Sequence, residues 1–137
     1  RYYTLLGWKG YSRRTTKKVI DVLQFAEDGT PSFGAPVFKL NDDTSKRRIV
    51  FEYNASVVMS LRWNPKKRTI VFDHLSPDRS EHEGMHEYYG PDFSYDALKL
   101  KRGKWTLIED VDARNPAQKK PKGMKDPKKV KGLMPGK

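Results

Sequence analysis

Between residues 1 and 113 the hydrophobic positions recur with a period of two, and polar or turn-forming clusters break them into short runs. That is the pattern of β-strands whose side chains alternate between two faces. Residues 2–8 form the first run and end at Gly7-Trp8-Lys9-Gly10. Residues 17–27 form the second, rich in β-branched and aromatic side chains, and Asp28-Gly29 closes it as a turn. A third run covers 33–40, where Pro36 suggests an edge or a bulge, and residues 41–46 read as a polar loop. Residues 47–53 alternate Ile49, Phe51 and Tyr53 against Val50 and Glu52, and 55–63 alternate Val57, Met59, Leu61 and Trp63 against Val58, Ser60 and Arg62. Residues 53–56 carry no strong breaker, which allows one bent strand across both.

Two hairpins follow. Asn64-Pro65-Lys66-Lys67 suits a type I turn, because proline presets φ at the second position. A four-residue loop then opposes Trp63 to Arg68, Leu61 to Ile70, Met59 to Phe72 and Val57 to His74. All the large apolar residues fall on one face, and Trp63 opposite Arg68 allows a cation–π contact. Arg102-Gly103 turns the second hairpin and pairs Leu100 with Trp105 and Leu98 with Leu107. The expected fold is all-β: an antiparallel meander or small sandwich of about seven short strands, with no helix longer than two turns before residue 113.

Charge divides the chain. Of 28 Lys and Arg and 17 Asp and Glu, net +11, residues 114–137 hold nine bases and one acid, a net +8, with four of the nine prolines and no aromatic residue. Such a segment has too little to bury to offset its ordering entropy. The expected organisation is therefore a β-rich domain, 1–113, and an extended Lys/Pro-rich tail, 114–137. The absence of cysteine excludes disulfides, thiol catalysis and thiolate-ligated zinc. No apolar run reaches the roughly 20 residues of a spanning helix. The chain starts at Arg1 directly in a strand-like run, which reads as a product lacking an upstream N-terminal region.

Few residues offer chemistry. His82-Glu83-Gly84-Met85-His86 matches H-E-x-x-H, which on a helix sets two imidazoles on one face for zinc with the glutamate as general base. Here the segment lies between Ser76-Pro77 and Gly90-Pro91, contains Gly84 and lacks an apolar stripe, so a loop without stoichiometric zinc is expected. His74 ends the apolar face of its hairpin and reads as a hydrogen-bonded structural histidine. Asp73 and Ser76 flank it, but neighbours along a strand point to opposite faces and make no Ser–His–Asp relay. Asp92, Asp96 and the run Glu109-Asp110-Val111-Asp112 do not follow the calcium-loop pattern. Trp8, Tyr11, Tyr88, Tyr89, Phe93 and Tyr95 fall outside the clean alternation and, if gathered at one rim, would make a stacking platform. No catalytic residue, metal ligand or cofactor site is assigned, and the chain reads as a non-enzyme.

Four segments carry a resemblance: Tyr2-Tyr3-Thr4-Leu5-Leu6-Gly7-Trp8, Phe33-Gly34-Ala35-Pro36-Val37-Phe38, Phe72-Asp73-His74-Leu75-Ser76-Pro77, and Tyr89-Gly90-Pro91-Asp92-Phe93-Ser94-Tyr95-Asp96. Together they resemble uncharacterised cell-envelope proteins of Bacteroidota over most of residues 1–113. The resemblance implies an exported β-rich domain, periplasmic or associated with the outer membrane, and assigns no activity or site residue.

The expected function is an interaction domain within a larger assembly, its basic tail ordering on a protein partner with an acidic surface. Partner-binding residues are then Lys119, Lys120, Lys122, Lys125, Lys128, Lys129 and Lys131, with Val130, Leu133 and Met134 as apolar anchors, since exposed ion pairs are individually weak. The competing readings are a metal-dependent hydrolase using His82, Glu83 and His86, and a basic nucleic-acid-associated protein. The tail lacks the aromatics that single-strand binders interleave with their cations.

Overall fold

A computed structural model describes residues 1–41 and 45–113 of the chain. It is all-β. Ten strands run in the order β1 (Tyr2–Gly10), β2 (Thr15–Phe25), β3 (Pro31–Phe33), β4 (Phe38–Lys39), β5 (Ser45–Lys46), β6 (Ile49–Asn54), β7 (Leu61–Asn64), β8 (Thr69–Pro77), β9 (Tyr89–Lys101) and β10 (Lys104–Ile108). Helical structure among the described residues is limited to two three-residue 3₁₀ turns, Ser80–His82 and His86–Tyr88. The strand count exceeds the expected seven because the run at 33–40 is split and because β4 and β5 are two-residue pieces.

The strands form two sheets. In the four-stranded sheet β2 is central: β1 lies along one side, and β6 and β3 share the other. The six-stranded sheet has the order β5-β4-β10-β9-β8-β7 and is mixed, because β10 runs parallel to β4. Their inner faces meet in one core. Ile20, Val22 and Tyr53 come from the first sheet, and Phe38, Ile70, Phe72, Leu98 and Trp105 from the second. The Phe51 and Phe72 rings meet at a tilt across the interface, 4.8 Å between centres, and the Trp105 indole N–H donates to the Thr4 hydroxyl at 3.2 Å.

The chain crosses between sheets where a single strand was expected. Gly34 adopts φ +88°, a left-handed conformation costly for any residue with a Cβ, and ends β3. Ala35 and Val37 are buried in the crossing, and the Val37 carbonyl accepts from the Trp105 N–H at 2.7 Å. The expected strand at 55–63 likewise shrinks to β7. Asn54 is the breaker: its side-chain oxygen accepts from the Ser56 N–H at 2.7 Å, an Asx turn that offers the backbone an alternative to the ladder. One bent strand across 53–56 is thereby excluded.

The hairpin at Arg102-Gly103 has the expected pairs, Leu100 with Trp105 and Leu98 with Leu107. Both turn residues have positive φ, the two-residue geometry that matches strand twist. The other hairpin is displaced by two residues. Trp63 pairs with Ile70 and Leu61 with Phe72, so the loop is Pro65 to Arg68 and Arg68 takes φ +52°. An even slip leaves every side chain on its intended face. Trp63 consequently meets Trp105 edge-on at 6.0 Å, while Arg68 sits in the turn and not across from Trp63.

Candidate functional site

The tail residues proposed to bind a partner, Lys119 to Met134, lie outside the described residues. Within the described body three places hold functional chemistry.

The first is a bulge. β8 and β9 pair without interruption from Thr69 to Asp73, and the register then jumps to Leu75 opposite Pro91. The slack forces Asp92, Phe93 and Ser94 outward opposite His74. Phe93 takes φ +68° and is 92% exposed, an unusual cost for an aromatic residue. His74 Nδ1 lies 2.6 Å from Asp96 Oδ2, and the other Asp96 oxygen accepts from the Asp110 N–H at 3.1 Å. The hydrogen bond to Asp96 raises the His74 pKa against the opposing effect of burial, and the charges of Asp96, Asp92 and Glu109 add to it. Burial alone would raise the Asp92 carboxyl, but hydrogen bonds from the Ser94 hydroxyl and N–H and from the Ser76 hydroxyl bring it below the usual range. His74 is thus the hydrogen-bonded histidine its position implied. Its partner is Asp96 and not Asp73, while Ser76 is engaged by Asp92. No nucleophile faces the imidazole among these bonds.

The second place is the His-Glu-Gly-Met-His segment. It is a loop, with Gly84 between the two 3₁₀ turns. His82 Nδ1 bonds Asp78 and its ring stacks on Tyr88 at 3.7 Å, holding the Asp78 carboxyl below its ordinary pKa. His86 instead lies 4.0 Å from Glu52 on β6. The two imidazoles therefore lie beside different carboxylates, and only His82 is hydrogen-bonded to its own. Among the described residues no group of three or more His, Asp or Glu is arranged to hold a metal. A cleft of about 420 Å³ beside the loop is lined by Asn54, Ser76, Asp78, Tyr88, Tyr89 and Asp92 among others.

The third place is the four-stranded sheet. Thr4 and Leu6 point inward, so Tyr3 and Leu5 point out. By the register the outward set continues through Leu23, Phe25 and Val19 on β2, Phe33 on β3 and Val50 on β6, with Asp21, ion-paired to Arg48 at 3.4 Å, opposite Leu5 and between Leu23 and Val19. Tyr3, Leu5, Phe25, Phe33 and Val50 are exposed, and the Tyr3 and Phe25 rings meet edge-on at 6.1 Å. Nothing among the described residues covers this face. β1 also has a free edge, since β2 is its sole strand partner among the described residues. The edge is apolar on both faces: Tyr2, Leu6 and Trp8 on the inner side are exposed too, Trp8 at 68%. Beneath it, Thr4, Leu6, Trp63, Arg68, Ile70, Leu100 and Trp105 line a cleft of about 440 Å³.

Of the aromatics outside the alternation, Tyr11 and Tyr89 are linked through Lys17, Glu52 and His86, and Arg14 of the same turn pairs with Glu87 at 3.8 Å, whereas Phe93 stands apart on the bulge. Trp8 and Tyr11 stand at the β1–β2 turn, Tyr88 and Tyr89 at the second 3₁₀ turn, and Phe93 on the bulge. Period-two alternation does not disclose the outward set of Tyr3, Leu5, Phe25, Phe33 and Val50. Its signal was the near-continuous apolar run at 2, 3, 5, 6 and 8, which a strand with one solvated face would not carry.

No family model, no curated protein and no solved structure matches the chain.

Proposed function

We propose that this protein is a non-enzymatic interaction domain that docks on another protein through its four-stranded sheet. The observation that carries the reading is the uncovered outer face of Tyr3, Leu5, Phe25, Phe33 and Val50. Large exposed apolar patches mark interaction sites, and here apolar side chains are exposed on four strands of one face, on either side of the Asp21–Arg48 ion pair. The tail adds a second contact on composition alone: Lys119 to Lys131 face acidic groups of the partner, with Val130, Leu133 and Met134 as anchors. An envelope assembly is the setting that the segment resemblance suggests. A photo-crosslinking residue at position 33 or 50 of the full chain, in cells that make it, should join it to one protein identifiable by mass spectrometry. Purified with that protein, Phe33→Asp and Val50→Asp should weaken binding roughly tenfold or more without lowering the melting temperature. Binding unchanged in both variants would refute the reading.

Nucleic-acid binding is a second reading, favoured by one observation. Exposed Trp8 and Tyr11 sit beside Lys9, Arg13, Arg14 and Lys17, with the Lys17 ammonium 3.6 Å from the Tyr11 ring centre. Cations and stacking rings together suit single strands. Titration with a single-stranded oligonucleotide at several salt concentrations, on the native chain and on Trp8→Ala, tests it.

A further inference from the structure

We infer that the partner contributes an extended, acid-flanked segment that adds to the free edge of β1 as a fifth strand. This deepens the docking proposed above and rests on it. Edge strands are ordinarily blunted by proline, by a charge in mid-strand or by a bulge. Residues 2–8 have none of these: the sequence is Tyr-Tyr-Thr-Leu-Leu-Gly-Trp, and its pairing with β2 is unbroken over nine residues. The outward N–H and C=O groups of β1 therefore form an open ladder, the template used in β-augmentation.

The cleft supplies specificity. Thr4 and Leu6 form one wall and Trp63, Ile70, Leu100 and Trp105 the other. A strand laid beside β1 directs alternate side chains to the same side as Thr4 and Leu6. One large apolar side chain of the added strand would then lie over the cleft, and its outward neighbours would extend the patch at Tyr3 and Leu5.

Charge selects the occupant. Arg1 and Lys9 bracket the edge, Arg13 and Arg14 follow at the turn, and Arg68 lines the cleft. Residues 1–54 hold ten bases and six acids, whereas 55–113 hold nine and ten. A second copy of this chain paired in full overlap is disfavoured. Two-fold antiparallel pairing of β1 centred on Leu5 sets Arg1 against Lys9 twice, and like charges opposite one another destabilise a sheet. An apolar segment with carboxylates at its ends meets the same cations favourably.

The test uses the full chain and two synthetic peptides, EDVTVFVTVDE and its lysine-flanked counterpart KKVTVFVTVKK. The acidic peptide should bind, protect β1 amides from hydrogen exchange, and lose affinity as salt rises. The lysine peptide should bind roughly tenfold more weakly or not at all. Leu6→Lys should abolish binding, and Leu5→Lys, on the other face of the same strand, should weaken it; each variant is checked for an unchanged melting temperature. Equal binding of the two peptides, protection elsewhere than β1, or concentration-dependent self-association lost in Leu6→Lys would overturn the proposal. So would tighter binding of a single-stranded oligonucleotide at the same residues. If the peptides fail while Phe33→Asp still releases the crosslinked partner, strand addition falls and docking through the outer face stands.

Discussion

Along β1 and β2 nine residue pairs run in unbroken register and end at an edge with apolar side chains on both faces, whereas β8 and β9 break theirs beside His74 and are flanked by β7 and β10. The slack in the second pair is absorbed by polar groups. Asp73 accepts from the Ser60 N–H, Asp96 holds His74 and the Asp110 backbone, and Asp92 holds Ser94 and Ser76. No buried side-chain nitrogen or oxygen among the described residues lacks a hydrogen-bond partner. The regular pair is thus the unsaturated one, and the irregular pair is self-sufficient. Irregular backbone is often taken as the mark of function; here what remains to be satisfied lies on the regular strands.

Phe33 and Phe38 test this difference most sharply, because they stand on either side of the crossing at Gly34. Phe38 is fully buried and Phe33 is 57% exposed on the outer face. Phe38→Ala should cost ~3–5 kcal/mol, the transfer of a ring plus the cavity it leaves. Phe33→Ala should cost less than ~1 kcal/mol in the isolated domain and show its effect in partner binding. Urea denaturation of both variants measures the gap. Similar losses would mean that the outer face is packed against something in the free protein, and the unsaturated region would not exist.

On the self-sufficient side, Asp96→Ala should cost ~1–3 kcal/mol. The change leaves the Asp110 N–H without its acceptor and His74 without its carboxylate. Retained stability would show that the bulge is not held by its polar bonds. The same pair sets a pH dependence. The His74 pKa is raised in the folded state, chiefly by its bond to Asp96, so folding favours the protonated imidazole. The contribution is full below about 6.5, the ordinary histidine value, and is lost as pH rises through the higher folded value. Unfolding free energy of the native chain should fall across that window, and His74→Gln should remove this part of the fall. An unchanged pH profile in His74→Gln would place the titrating group elsewhere.

Which of these features the sequence discloses depends on whether the deciding residue acts on its neighbours or at a distance. Arg102-Gly103 is a local device, and its pairs follow at once. The slip at Asn64 came from Arg68 accepting a left-handed φ, which a Pro-Lys-Lys sequence does not announce, yet the faces survived because the slip was even. Asn54 reads in sequence as an ordinary strand residue, but its side chain caps its own turn. Gly34 was masked by Pro36, which explained the irregularity in the wrong place. The docking face was hidden for a different reason. Alternation identifies strands, but whether an apolar face is covered depends on the other sheet, and one sheet can cover only one side of its neighbour. His74 with Asp96 was half legible: the histidine by its position, its partner 22 residues away not at all.

The smallest effect concerns Phe93, the most exposed apolar side chain of β8 and β9. Its left-handed backbone costs a residue with a Cβ roughly 1–2 kcal/mol, and at 92% exposure the ring returns little through burial. Phe93→Gly removes the conformational penalty and adds unfolded-state entropy worth ~0.5–1 kcal/mol in the other direction. The net change should be between neutral and ~1 kcal/mol stabilising, read from urea midpoints at constant slope. A loss near 2 kcal/mol would mean that the ring packs where the structure shows it free, and the bulge would then depend on an apolar contact as well as on its carboxylates. A neutral or positive result leaves Phe93 as a side chain kept outward at a cost to folding. It would then be the first residue on this side of the molecule to scan for partner contact, after Tyr3, Leu5, Phe33 and Val50 on the other.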